Sequence, residues 1–103
     1  MNGRENIKET AARLNAETAR IDWRELERHY ARGVLMTVAA EMDLVMTAAH
    51  MARDDKTIIE AWVEKGQLHP TTDENAHDWH ERNPDLWAVV VAPWVLVQER
   101  DAP

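Results

Sequence analysis

The chain has 103 residues, a length that suits one domain with one hydrophobic core. Its formal net charge of −7 predicts an acidic surface and argues against binding to DNA or RNA, whose phosphates are held by lysine and arginine. Because the sequence contains no cysteine and no serine, disulfides, cysteine-based zinc sites and serine nucleophiles are excluded.

The sequence also carries no signal for a membrane or for secretion. Residues 1–12 are polar and lack the apolar stretch of a secretory signal. The longest apolar run, Leu86–Val97, is too short to cross a membrane as a helix and contains Pro93. We therefore expect a cytoplasmic protein with no membrane partner.

Apolar spacing and capping residues predict four to five helices. They cover, in chain order, about residues 7–20, 22–32, 42–53, 55–65 and 71–83. Asp22 and Thr71 are expected to begin the second and fifth helices as capping boxes, with Glu25 and Glu74 three residues later.

Two segments are predicted as strands of one small sheet. Val34–Val38 is rich in β-branched residues. Leu86–Val97 is the most apolar part of the chain and lacks the alternation of a half-exposed strand, so we expect both of its faces to be covered. Pro93 predicts a bulge, a bend or a turn in its middle. Residues 67–69 form at most a short strand, because Pro70 cannot continue a central ladder.

These elements predict an α+β fold, a small two-layer domain in which the helices pack on a sheet formed by Val34–Val38 and Leu86–Val97. Residues 1–5 and 100–103 are expected to be frayed. A sheet that is apolar on both faces leaves little chain to cover it, so we predict a homo-oligomer, with a dimer favoured. The alternative is that the helices cover the sheet within one monomer.

Asp73, His77 and His80 form the first candidate site. They occupy positions i, i+4 and i+7 of the predicted fifth helix and therefore lie on one face. A carboxylate and two imidazoles could bind a divalent metal or serve in acid–base catalysis. The spacing matches no established zinc motif, and the solvated side of an amphipathic helix explains the same residues.

Arg24, Arg28 and Arg32 form the second candidate site, an arginine stripe on one face of the predicted second helix. Guanidinium groups bind phosphates and carboxylates, so the stripe predicts an anion-binding site or a contact with the acidic surface of another subunit. Glu25 and Glu27 flank the stripe and are expected to neutralise part of it through ion pairs. A solvated helix face is the alternative.

No other segment predicts a catalytic or cofactor site. His29 and His50 are isolated, and a single histidine is weak evidence for a catalytic base. Gly3, Gly33 and Gly66 are far apart, so no nucleotide-binding glycine motif is present and no cofactor is predicted. The favoured function is a non-catalytic interaction or regulatory domain.

Three segments of the chain together resemble one bacterial family. They are LNAETARIDWRELERHYARG (Leu14–Gly33), MARDDKTIIEAWVEKGQL (Met51–Leu68) and DLWAVVVAPWVLVQ (Asp85–Gln98), of which the last is the most distinctive. They are similar to the family catalogued as domain of unknown function 2288, over about residues 14–98. That family has no established activity. The resemblance therefore implies a stand-alone bacterial domain in the cytosol, without any functional residues to carry over.

Overall fold

The computed structural model of the protein describes residues 6–100, and this part of the chain forms five helices and five strands. The helices are α1 (Ile7–Glu17), α2 (Trp23–Ala31), α3 (Leu44–Ala52), α4 (Lys56–Glu64) and α5 (Asp73–Arg82). The strands are β1 (Ala19–Ile21), β2 (Leu35–Val38), β3 (Leu68–Pro70), β4 (Leu86–Val91) and β5 (Trp94–Glu99). The α+β class is confirmed. None of the described helices is long and apolar enough to cross a membrane.

The five strands form one mixed sheet in the order β1-β4-β5-β2-β3. β2 runs parallel to β5, and the other neighbouring strands are antiparallel. Both predicted strand segments lie in this sheet. Leu86–Val97 forms a hairpin in which Ala92 and Pro93 make the turn between β4 and β5. The proline therefore separates two strands instead of bending one.

The predicted first helix is too long at its C-terminal end. α1 ends at Glu17, and Thr18 already has extended backbone angles (φ −80°, ψ 130°). The next three residues pair with residues 86–88 of β4 as strand β1. This pairing is a tertiary interaction that helical periodicity cannot show. β3 is short and lies at the sheet edge, where Pro70 is tolerated.

Helices cover both faces of the sheet, so the prediction of two layers is wrong and the chain has three. On the first face, Leu14 of α1 and Leu44 and Ala48 of α3 pack against the sheet. The strand residues that they meet are Val38, Val89 and Leu96. On the second face, Trp23 and Leu26 of α2 and Trp79 of α5 pack against the sheet. The strand residues that they meet are Leu35, Ala88 and Val97. Alternate residues of a strand point to opposite faces. Because both sets are apolar here, each face needs its own helical layer.

One predicted capping box begins a residue later than expected. Thr72 is the N-cap of α5, and its hydroxyl accepts from the backbone N–H of Asn75 at 3.0 Å. Thr71 instead makes hydrogen bonds to strand β2. Its N–H donates to Leu35 O at 2.9 Å, and its hydroxyl lies 2.8 Å from that of Thr37. Asp22 is the N-cap of α2 as predicted, but its side chain makes no capping hydrogen bond.

Arg100 is held in place and is not frayed. Its N–H donates to Asp85 O at 3.1 Å, and its Nε donates to Gln98 Oε1 at 3.0 Å. Its guanidinium also lies 5.1 Å from the ring centre of Trp87. The rest of the segments predicted to fray, residues 1–5 and 101–103, lies outside the described residues.

Candidate functional site

The predicted metal site lies on the outer side of α5. Asp73, His77 and His80 are all exposed. His77 Nε2 is 4.0 Å from Glu81 Oε1, and its side chain is 78 % exposed. Within residues 6–100, no three histidine, aspartate or glutamate side chains are placed to hold one metal ion. The metal site gains no support from the structure and stays a prediction.

The arginine stripe lies on the exposed side of α2, and all three of its side chains are exposed. The expected ion pairs with Glu25 and Glu27 are not formed, and none of the three arginines pairs with any other residue of the described chain. Position i+4 from Arg24 is Arg28, and position i+4 from Arg28 is Arg32. Like charges at this spacing repel one another, although Glu27 lies three residues from Arg24 and Glu25 lies three residues from Arg28.

A cluster of ion pairs that the sequence did not predict ties α5 to β5. The Arg82 guanidinium donates to both carboxylate oxygens of Asp78 at 2.7 Å. It also donates to both oxygens of Glu99 at 2.7 and 3.0 Å. The indole N–H of Trp79 donates to Glu99 Oε1 at 3.1 Å. The i, i+4 spacing could have indicated the Asp78–Arg82 pair, but Glu99 is brought in by the fold.

The charge states of this α5–β5 cluster follow from its hydrogen bonds. The hydrogen bonds from Arg82 lower the pKa of Asp78 and that of Glu99, and the Trp79 N–H adds to the effect on Glu99. The hydrogen bond to Asp78, followed by the one to Glu99, raises the pKa of Arg82. All three groups stay ionised at neutral pH. A general acid needs a proton to give near neutral pH, so neither carboxyl is suited to that role.

A groove of about 360 Å³ lies beside this cluster, where the parallel strands β2 and β5 end. Its lining residues are Thr37, Val38, Ala39, Ala40, Asn75, Asp78, Trp79 and Glu99. Ligands of α/β sheets often bind outside the carboxyl ends of parallel strands. Here, however, the charged groups of the groove are paired with one another through Arg82. Both carboxylates of the groove are therefore held in ion pairs within the described chain.

His50 is not isolated, in contrast to the prediction. Its Nδ1 is 2.9 Å from Asp55 Oδ2, and its ring meets that of Trp62 edge-on, with 5.5 Å between the ring centres. Arg53 Nε lies 3.6 Å from the same carboxylate oxygen. The pair joins the C-terminal end of α3 to the N-terminal end of α4. It was missed because the two residues are five apart across a helix junction, a spacing that no helical pattern marks.

Among the large apolar residues of the described chain, the one with the highest exposed fraction lies at the end of the β4–β5 hairpin. Val90 is 56 % exposed and Trp94 is 38 % exposed, and Ala92 and Pro93 between them are exposed as well. We call residues 90–94 the hairpin end. Two further exposed apolar residues, Val63 at 47 % and Ile58 at 37 %, lie on α4. The hairpin end is the part of Leu86–Val97 that the helical layers leave most exposed.

Comparison with known proteins places the chain in a family. The model of the family described as "Protein of unknown function (DUF2288)" matches residues 9–99. PA1075 from Pseudomonas aeruginosa, whose solution structure was determined by NMR, is 44 % identical. That match covers 99 % of this chain and 93 % of the other, with a TM-score of 0.80. No curated protein matches. The resemblance found in the sequence is thus confirmed, and the chain belongs to the DUF2288 family of proteins of unknown function.

Proposed function

We propose that the protein is a non-catalytic interaction domain of the cytoplasm that acts as a homo-oligomer, a dimer in the simplest case. The observation that carries the proposal is the hairpin end, where Val90 on the second face and Trp94 on the first face are exposed although the helices cover both faces of the sheet elsewhere. Exposed apolar patches on soluble proteins commonly mark contact surfaces. The surface in contact would be the hairpin end of each copy.

The charge of the protein favours a second copy at this surface. Each copy carries a formal charge of −7, so two copies repel each other wherever their acidic surfaces meet. Residues 86–98, which include the hairpin end, contain no charged side chain. Contact through this segment buries apolar area without bringing acidic groups together. Burial of apolar area on association is the main favourable contribution to such contacts.

The absence of a catalytic role is supported by the α5–β5 cluster. Its carboxylates and guanidinium are paired with one another, and the shifts in their pKa values keep them ionised. The cluster contributes to holding α5 against the sheet. Such a role needs no substrate.

Light scattering coupled to size-exclusion chromatography tests this proposal at micromolar concentrations of untagged protein. We expect a mass of twice 11.9 kDa for the wild type. Val90→Lys should shift the protein to the monomer mass, because it places a charge in the contact. Val63→Lys is the matched control, since Val63 is also an exposed valine but lies on α4, and we expect it to remain dimeric.

Two outcomes would contradict the proposal. A wild-type protein that stays monomeric over the whole micromolar range would rule out self-association as its function. A dimer that Val63→Lys disrupts and Val90→Lys leaves intact would move the contact from the hairpin end to α4.

A second candidate function is the binding of an anionic ligand by the arginine stripe. The observation that favours it is that the three guanidinium groups repel one another along α2 and find no acidic partner in the described chain. Local arrangements that cost stability are often retained at functional sites. An anion would replace this repulsion with charge-assisted hydrogen bonds to the guanidinium groups.

Isothermal titration calorimetry with inorganic pyrophosphate, at low and at high salt, tests the second candidate function. Binding should weaken as salt rises, because exposed charges are screened. Arg28→Glu should weaken it by about tenfold or more, equivalent to roughly 1.4 kcal/mol. Lys8→Glu, which alters an exposed cation on α1, is the matched control and should bind as the wild type does. No binding by the wild type, or equal losses in both variants, would end this candidate.

A further inference from the structure

The structure brings one residue of each predicted site to a shared cavity between α2 and α5. The cavity has a volume of about 260 Å³ and lies where α2 begins and α5 ends. Arg24 of the arginine stripe lines it from α2, and His80 of the predicted metal site lines it from α5. The other polar residues of its lining are Asp22, Glu27 and Asn83. We call it the α2–α5 cavity.

Two buried indoles form the apolar wall of this cavity. Trp23 is 5 % exposed and Trp79 is 3 % exposed, and their ring centres are 5.7 Å apart. Both rings belong to the core on the second face, and the N–H of Trp79 donates to Glu99 Oε1 at 3.1 Å. Core packing therefore fixes the wall before any ligand arrives, as in most small-molecule sites.

The charged groups of the cavity are opposite in sign and do not neutralise one another. Arg24 supplies a guanidinium, and Asp22 and Glu27 supply carboxylates. Within residues 6–100, none of these three side chains makes an ion pair or a hydrogen bond, and Asp22 does not cap α2. The groove beside the α5–β5 cluster differs, because Arg82 there pairs with both carboxylates. The charges of the α2–α5 cavity are thus free to meet a ligand.

His80 and Asn83 add an imidazole and an amide, which both donate and accept hydrogen bonds. Neither side chain has a partner in the part of the chain that the structure describes. The backbone of Asn83 is held in place, since its N–H donates to Trp79 O at 3.0 Å. The cavity consequently presents free polar groups of both charges beside a rigid apolar wall.

We infer that the α2–α5 cavity binds a small zwitterion that carries an ammonium and a carboxylate group, as a free α-amino acid does. The Arg24 guanidinium holds the carboxylate, for which its planar pair of donors is suited. The carboxylates of Asp22 and Glu27 hold the ammonium group. Sites for drug-sized ligands have volumes of roughly 300 Å³ or more, so this cavity suits a smaller molecule.

The balance of charge favours a zwitterion over a simple ion. A simple anion meets two carboxylates for one guanidinium, and a simple cation leaves Arg24 without a partner. A ligand with both charges satisfies both kinds of group at once. Such a site needs neither a second copy of the chain nor Arg28 and Arg32, so it is independent of both functions proposed above.

NMR titration of isotope-labelled wild-type protein with each standard amino acid in turn tests the inference. At least one of them should bind with a Kd of about 1 mM or below and shift the resonances of the Trp23 indole N–H and the Asn83 side-chain amide. The N-acetyl derivative of that amino acid lacks the ammonium charge, and its amide lacks the carboxylate charge. Each derivative should bind at least about tenfold more weakly, a loss of roughly 1.4 kcal/mol.

Charge-neutral variants locate the binding. Arg24→Gln, and Glu27→Gln combined with Asp22→Asn, should each weaken the binding of that amino acid by about tenfold or more. Lys56→Gln and Glu60→Gln are the matched controls, since both residues are exposed on α4 outside the cavity, and they should bind as the wild type does.

Three results would overturn the inference. They are the absence of any shift at Trp23 and Asn83 with every amino acid, derivatives that bind as tightly as the parent amino acid, and equal losses in the cavity variants and their controls. Binding of pyrophosphate but of no amino acid would support the arginine stripe and rule out the zwitterion site. The derivative titrations use wild-type protein alone, so they decide even if a variant fails to fold.

Discussion

Four helices of the described chain end at a residue in the left-handed backbone conformation. These residues are Gly33, Asp54, Gly66 and Asn83, with φ angles of 77°, 56°, 74° and 48°. Glycine adopts this conformation without a steric cost, whereas a residue with a Cβ is strained in it. After α4 the chain reverses with two hydrogen bonds, from Gly66 N–H to Val63 O and from Gln67 N–H to Trp62 O, each 2.9 to 3.1 Å long. The conformation at Gly66 therefore ends α4 and directs the chain into β3.

Gly66→Ala should lower the free energy of unfolding by about 1 kcal/mol. A Cβ at this position meets no atom within 4 Å, so the effect would come from the backbone conformation alone. Asp54→Gly is the reciprocal variant, because it places glycine where an aspartate is strained, and should raise stability or leave it unchanged. Urea unfolding followed by circular dichroism measures both. Equal stability of Gly66→Ala and the wild type would show that the backbone strain is relieved by movement of the loop.

Between elements, the α5–β5 cluster links a helix to a strand through charge. Arg82 lies in the last turn of α5 and reaches Asp78 on its own helix and Glu99 at the end of β5. Its guanidinium is planar and can donate to two carboxylates at once, which a lysine cannot do in the same geometry. The cluster thus holds α5 over the second face, where the indole of Trp79 is part of the core.

The cluster predicts a contribution to stability that depends on pH. The folded-state pKa of Glu99 is lowered, mainly by its hydrogen bond from Arg82. A carboxyl with a lowered folded-state pKa stabilises the protein fully above its unfolded-state pKa, and the contribution is lost as the pH falls through the folded-state value. The free energy of unfolding should therefore decrease as the pH falls below about 4, the ordinary range for carboxyl groups.

Glu99→Gln should be less stable than the wild type at pH 7, and the difference should shrink under acid conditions. Glu64→Gln is the matched control, since Glu64 is exposed and makes no ion pair in the described chain. Urea unfolding at a series of pH values between neutral and 3 measures both. Parallel stability curves for Glu99→Gln and the wild type would show that the ion pairs contribute nothing to folding.

At the scale of the whole molecule, two apolar cores share one sheet. Leu14 of α1 belongs to the core on the first face and is 2 % exposed, whereas Leu26 of α2 belongs to the core on the second face and is fully buried. Residues of β2, β4 and β5 alternate between the two cores, so neither core can form without these strands. Loss of one core should therefore destabilise the other.

Leu14→Ala and Leu26→Ala should each lower the free energy of unfolding by about 2 to 5 kcal/mol, the usual cost of a cavity in a core. In both variants the loss of tryptophan fluorescence and of helical circular dichroism should coincide, as expected for two-state unfolding. Ile58→Ala is the control, because Ile58 is 37 % exposed on α4, and it should cost less than about 1 kcal/mol. Two separate transitions in Leu26→Ala would show that the cores unfold independently.

Much of the fold was determined by patterns within short stretches of sequence. The apolar spacing on α2, the glycines after α2 and α4 and the continuous apolar run of β4 and β5 are local signals, and each led to the correct kind of element. They work because helix periodicity, turn conformation and burial on both strand faces depend on residues that are close along the chain. The likeness of the closing segment to the DUF2288 family is also a property of the sequence alone.

The tertiary structure decided the features that depend on partners distant in sequence. Ala19–Ile21 forms a strand because it pairs with β4, and Thr71 hydrogen-bonds to β2 instead of capping α5. Glu99 joins an ion-pair cluster with α5. The same holds for the candidate contact surface. An apolar run predicts burial, but only the lengths of β1 and the surrounding helices determine that Val90 is left outside, since burial depends on what the rest of the chain can reach.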